Sequence, residues 1–283
     1  MANIKIMTDS SVQLTEAEIA KYQITVIPLS ITIDGASYID GVDITRADFV
    51  SKMNAAQDLP KTSQPPIGKF VDAFNQLTAD GSEVLGIFMA KALSGTVDAA
   101  RQAAALAKHP KRIQIVDSKL TDRALGFQVL AAARDVAATK PLTTILQHLK
   151  QMQASQHLDM MVITLKNLIK GGRLGPLTGT IATLLNIRIS LRMPGGRLEV
   201  GKKGRGKRFT EAFNSRVLAD IAANVGHVKE VGISYVDTPE PAHALAERIK
   251  QLDPKIDILV AETSPIIATH SGHAAYAILY YTE

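Results

Sequence analysis

Short apolar runs alternate along the first half of the chain with stretches whose apolar positions recur every three or four residues. Residues 3–7 and Glu83–Phe88 are compact apolar runs, and Ile24–Ile33 alternates and is rich in β-branched residues. These read as strands, as does Arg112–Val116, closed by Asp117-Ser118. Glu16–Tyr22, Pro66–Leu77, Gly95–Ala107, Arg123–Ala138 and Leu142–Ala154 read as helices. The first has Thr15 as its cap with Glu18 three residues on, and the second opens on Pro66, where a missing N–H costs nothing. Strand and helix in turn predict a three-layer α/β/α domain around a mainly parallel sheet. Ligands of such sheets bind at the carboxyl ends of strands, where Asp9, Ser94 and Asp117 fall.

The pattern changes near residue 157. Leu158–Leu165 reads as a strand, interrupted by Lys170-Gly171-Gly172-Arg173. Asn186–Met193 and Arg197–Val200 read as a hairpin around Pro194-Gly195-Gly196. Phe209–Asn224 reads as a helix, and Val228–Val236, Ile256–Ala261, Ile266–Thr269 and Tyr276–Tyr281 as strands. The expectation is two α/β domains, 1–157 and 158–283, the second with a mixed sheet, and a ligand at their interface. The pattern contains no repeats and no low-complexity segment.

Composition narrows the picture. Aromatic residues are 5% of the chain and Trp is absent, so apolar burial must come from Leu, Ile, Val and Ala, which suits narrow aliphatic cavities better than flat stacking sites. No cysteine is present, which excludes disulfides and thiolate chemistry and fits a reducing compartment. The opening apolar stretch is too short for a signal peptide, and no apolar run approaches the length that spans a membrane. A cytoplasmic protein without stable membrane insertion is expected. The formal net charge is +5, and residues 197–208 carry all of it, with Arg197, Lys202, Lys203, Arg205, Lys207 and Arg208 against Glu199 alone. A local basic patch points to a specific anionic partner.

Three polar clusters carry the candidate chemistry: Thr62-Ser63-Gln64-Pro65, Leu93-Ser94-Gly95-Thr96 and Thr269-His270-Ser271-Gly272. The first two precede helices, whose N-termini offer free N–H groups and a positive dipole end. Each alone is an ordinary cap or an interface histidine; together they could grip a carboxylate or phosphate. A hydrolase with Ser94 as nucleophile, His270 as base and Asp9 or Asp117 as orienter ranks below binding, because Leu93-Ser94-Gly95 lacks the G-x-S-x-G elbow. Gly201–Arg208 nearly matches a P-loop, but Arg208 stands where the magnesium-holding hydroxyl belongs. The bland reading of this segment is a solvated hairpin; the sharper one is a docking surface left open by its three glycines. Nucleic-acid binding is weakened by the absence of interleaved aromatics before Phe209. His270 and His273 lack the further ligands of a metal site.

The same residues resemble the DegV family of fatty-acid-binding proteins, which includes the acyl-binding subunits of bacterial fatty acid kinase. The likeness runs the whole length, through Thr8-Asp9-Ser10-Ser11, Val26-Ile27-Pro28-Leu29, the three clusters, Asp117-Ser118, Gly171-Gly172-Arg173 and Lys203-Gly204-Arg205-Gly206. Each motif is weak, but seven or more in order are specific. The resemblance implies a protein that binds without catalysing and uses no cofactor or metal. One long-chain fatty acid would lie between the domains, its carboxylate held by Thr62, Ser63, Ser94, Gly95, Thr96 and His270. A separate ATP-dependent kinase subunit would phosphorylate it, with Arg173, Lys203 and Arg205 facing that partner. Ala90-Lys91, Arg188-Ile189 and His273-Ala274 depart from the family's usual serines, Lys-Pro and Pro-Gly.

Overall fold

The computed structural model describes residues 3–174 and 187–283. The first stretch runs β1 (Ile4–Asp9), α1 (Glu16–Tyr22), β2 (Thr25–Ile27), β3 (Ser30–Ile33), β4 (Ala36–Ile39), α2 (Arg46–Ala55), β5 (Lys61–Ser63), α3 (Ile67–Thr78) and β6 (Glu83–Phe88). It continues through α4 (Thr96–Leu106), β7 (Ile113–Asp117), α5 (Asp122–Ala137) and α6 (Leu142–Ser155). The second stretch comprises β8 (Gln156–Val162), α7 (Lys166–Lys170), β9 (Ile187–Arg192), β10 (Glu199–Arg205), α8 (Gly206–Ala222), β11 (Val228–Tyr235), α9 (Pro239–Leu252), β12 (Asp257–Glu262), α10 (Pro265–Ser271) and β13 (Tyr276–Thr282).

The fold is α/β, as expected. One sheet is wholly parallel, in the order β2-β1-β6-β7. Its central strand β6 is apolar on both faces because both faces are covered there. On β6, Val84 and Phe88 join Phe70, Phe74 and the alanines of α3 and α4, while Leu85 and Ile87 face the opposite core. The chain leaves β1 toward β2 and leaves β6 toward β7, so a crevice opens between their carboxyl ends. The second sheet is mixed, in the order β10-β9-β8-β13-β11-β12, with β11 and β12 its parallel pair.

α5 lies between the two sheets, packing on β1 and β6 and also on β8, β11 and β13. It is buried almost continuously from Asp122 to Ala133, and its small residues permit that. A Cβ at Gly126 would come within 2.6 Å of the Gln13 backbone oxygen. The carboxylate of Asp122 accepts from Ser234 Oγ at 2.6 Å and Thr263 Oγ1 at 2.5 Å. That knot fixes the segment leading into α10.

Several expected elements differ. Ile24–Ile33 is two strands: Pro28 cannot donate to a ladder, so β2 joins the parallel sheet and β3 enters a small antiparallel sheet, β4-β3-β5. Ile266–Thr269 is helical, within α10; Ser264 caps it by accepting from Ile267, and Pro265 opens it. The strand begun at Leu158 ends at Val162, and Leu165 is the cap of α7. The expected strand start at Asn186 lies outside the described residues. The basic segment is an edge strand with an irregularity between Val200 and Lys203, continuing into α8. Its glycines serve internal packing: a Cβ on Gly204 would strike the Phe209 ring at 2.2 Å, and one on Gly201 would sit 2.8 Å from Ser190 Oγ.

Candidate functional site

The two sheets, β5 and α10 bring residues 208 positions apart into contact. Thr62, on edge strand β5, and His270, in the last turn of α10, meet with Oγ1 and Nε2 2.9 Å apart. Ser94 sits in the turn after β6, where its N–H and that of Leu93 both bond the Ala90 carbonyl. Thr62, Ser63, Ser94, Arg173 and His270 line one cavity. Thr96 is fully buried behind Ser94, with the two hydroxyls 2.8 Å apart, so it positions Ser94 and does not reach the cavity wall. Gly95 is exposed beside Gln64; Lys203 and Arg205 lie exposed on β10, away from the cavity. Thr269 and Ser271 turn their hydroxyls back on the Pro265 and Ile267 carbonyls, which leaves His270 as the polar side chain that α10 offers.

The histidine is tightly held. A Cβ on Gly171 would come 2.3 Å from its Nδ1, and Nδ1 is buried without a partner among the described residues. Burial, reinforced by the Arg173 charge, brings His270 from its ordinary 6.5 down to about 4, so the ring is neutral near pH 7. A buried unpartnered N–H is rarer than a buried unpartnered acceptor. We therefore assign the ring proton to Nε2, donating to Thr62 Oγ1. The Thr62 hydroxyl proton is then free to point into the cavity. Ser94 Oγ, accepting from Thr96, is free to do the same. Two neutral hydroxyl donors with Arg173 nearby suit a carboxylate. The Arg173 guanidinium is itself held by the Leu93 carbonyl at 3.2 Å and by the Gly171 carbonyl.

Behind this polar end the walls are aliphatic: Leu29, Met89, Met160, Leu168, Met193 and Ile266 are among them. The empty space, mouth included, is about 670 Å³, and most of it is too narrow for a freely placed water molecule. The hollow is a slot rather than a chamber. These wall residues were invisible to sequence reasoning, although one signal existed: three of the chain's 8 methionines line it.

Hydrolase chemistry does not assemble here. His270 Nε2 is taken by Thr62, and among the described residues no carboxylate orients the ring. Asp9 is buried, which raises its pKa; it binds the Ser11 hydroxyl and the amides of Ser11 and Met89. Asp117 holds the amides of Lys91 and Lys119. Both acids tie loops. His273 turns away to Asp237, 2.8 Å distant, and among the described residues no cluster of His, Cys, Asp or Glu could hold a metal. No described helix is long and apolar enough to cross a membrane.

Comparison with known proteins places the chain by family and fold. The family model described as "Uncharacterised protein, DegV family" matches residues 3–283. A DegV domain-containing protein of Streptococcus pneumoniae is 40% identical over 279 residues, covering 99% of this chain and 98% of the relative. The solved structure of DegV, a fatty acid binding protein from Bacillus subtilis, superposes with a TM-score of 0.91 at 24% identity, covering 100% of both chains. That of a fatty acid binding DegV family protein from Streptococcus agalactiae gives a TM-score of 0.89 at 26% identity, again over 100% of both. With a family match over almost its entire length and a relative at that level of identity, the chain belongs to the DegV family.

Proposed function

We propose that the chain is a cytoplasmic carrier that binds one long-chain fatty acid in the slot. The carboxylate meets Thr62 and Ser94, with His270 behind Thr62 orienting its hydroxyl, and the tail lies among the aliphatic walls. The observation that carries this reading is a narrow apolar slot with the Thr62 and Ser94 hydroxyls and the His270 ring together at one end. The fatty acid binding relative from Streptococcus agalactiae supports it. Burying a methylene contributes about 0.8 kcal/mol, so roughly 15 of them supply about 12 kcal/mol gross, against about 1 kcal/mol for each neutral head-group hydrogen bond. The tail therefore sets affinity and the polar end sets direction.

Such a division suits presentation of the carboxylate to a second protein. In our reading an ATP-dependent kinase subunit supplies the γ-phosphate. A carboxylate oxygen forms the new P–O bond, the bond to the bridging β,γ-oxygen breaks, and ADP leaves with that oxygen. Arg173 offsets the crowded negative charge at the mouth, while Lys203 and Arg205 on β10 dock the partner. The chain itself turns nothing over. We also propose a division into two domains near residue 157, where β8 begins the second sheet.

Mass spectrometry of the protein purified from bacteria should find a long-chain acid at one per chain. Arg205→Ala should keep that acid and slow acyl-phosphate formation by about tenfold or more, as expected for a lost charged contact. Extraction that repeatedly yields no lipid would remove the carrier reading. Loss of lipid from the Arg205 variant would remove the docking role.

A further inference from the structure

Two wall residues of the slot also face a separate hollow. Leu158 and Met193 line the slot and, besides, a polar bay of about 1640 Å³, mouth included, bordered by Lys119, Lys150 and Arg192. The carboxylate end adjoins a different bay, about 1440 Å³ with its mouth included, with which it shares Thr62, Arg173 and His270. The two bays have no lining residue in common. The slot thus runs between them, gripping side chains at one end and Leu158 with Met193 at the other.

Leu158 and Met193 belong to one apolar cluster. β8 and β9 run antiparallel with Asp159 opposite Arg192, and each of the two residues lies one position beyond that last pair. They are 8% and 6% exposed, so the partition between slot and bay is one layer of side chains. Their mobility differs. Leu158 sits inside β8, also paired with Leu279 of β13. Met193 lies just beyond β9, before the turn Pro194–Gly196, in which Gly195 and Gly196 adopt φ of 58° and 87°. That turn is anchored, since a Cβ on Gly196 would come 2.9 Å from Lys119 Cβ. The backbone is therefore fixed, while an unbranched thioether with three rotatable bonds can swing.

We propose that Met193 is a length gate at the methyl end of the slot. The inference rests on the fatty-acid reading above. In its closed rotamer Met193 stops the tail against Leu158 and sets the preferred chain length. Swung aside, it lets the end of a longer unbranched acid pass into the polar bay. Affinity should climb about fourfold with each added methylene until the tail meets the gate, then fall.

The experiment is a titration of wild type, Met193→Ala, Met193→Leu and Leu158→Ala with saturated acids of increasing length, stearic acid included. Met193→Ala should move the optimum upward by at least two carbons. It should bind the first acid beyond the wild-type optimum about tenfold more tightly than wild type does. Leu158→Ala should shift the same way, Met193→Leu should keep the wild-type optimum, and acids too short to reach the gate should bind all forms alike. If both alanine variants bind these acids with the wild-type optimum, the gate is wrong and the carrier reading stands. If no form binds any acid, the carrier reading falls and the gate with it.

Discussion

Met160→Trp is expected to cut fatty acid affinity by about a thousandfold while leaving the protein folded. Met160 lies on β8 between Leu191 and Ala277 of the neighbouring strands, and its side chain borders the slot. An indole there occupies space the tail needs. If five methylenes are kept in water, about 4 kcal/mol of binding is lost, which is about a factor of a thousand. Overpacking of a filled core costs about 1–3 kcal/mol, but here the ring enters space that is already empty, so the cost to stability is smaller. Calorimetric titration with a C18 acid checks the affinity, and a urea melt checks the fold. Affinity within tenfold of wild type, in a variant that melts normally, would place the tail elsewhere.

The second large effect concerns His270 and pH. Its folded pKa of about 4 lies below the ordinary 6.5 because the ring is buried and faces Arg173. Between those two values the unfolded chain holds a proton at this residue that the folded chain refuses. Stability therefore falls as pH drops through that window, by up to about 1.4 kcal/mol per unit and about 3 kcal/mol in all. Above pH 6.5 the ring is neutral in both states and the contribution vanishes. His270→Gln removes the ionisation. The difference between the two proteins' stabilities, from urea melts at pH 7, 6, 5 and 4, should shift by about 3 kcal/mol toward the variant, since the other acids cancel in the comparison. Parallel profiles would mean that the ring is solvated and the site more open than described.

Much of the fold was legible because the local signals agreed with one another. The capping box of α1 forms as written, with Thr15 and Glu18 exchanging bonds. β6 spans Glu83–Phe88 as its apolar run implied. The failures have local causes. Ile266-Ile267 looks like a strand by composition, but Ser264 and Pro265 before it and Gly272 at φ 78° after it bound a single short helix. β4 and β5 are three or four residues long and largely exposed, so they carry no apolar pattern to detect. α2 and α9 were overlooked, although Thr45 caps the first and Pro239 opens the second.

The site divides in the same way. Thr62, Ser94 and His270 could be named from sequence because their three motifs occur together and in the order of the family resemblance, although each alone is an ordinary cap or interface histidine. Thr96 and Gly95 belonged to the same motif yet serve the turn and not the cavity wall. Arg173, expected only at a partner's surface, borders the slot as well. The aliphatic wall could not be named. Leu29 and Leu168 differ in no chemical respect from other core leucines, and only the closing of the fold around unfilled space sets them apart.

The most direct measurement is a crystal structure of the protein with a C18 fatty acid bound. The account expects the carboxylate within hydrogen-bond reach of Thr62 Oγ1 and Ser94 Oγ, about 2.5–3.0 Å, and the hydrocarbon running past Met160 toward Met193. An acid bound in the opposite sense, or outside the slot altogether, would contradict it.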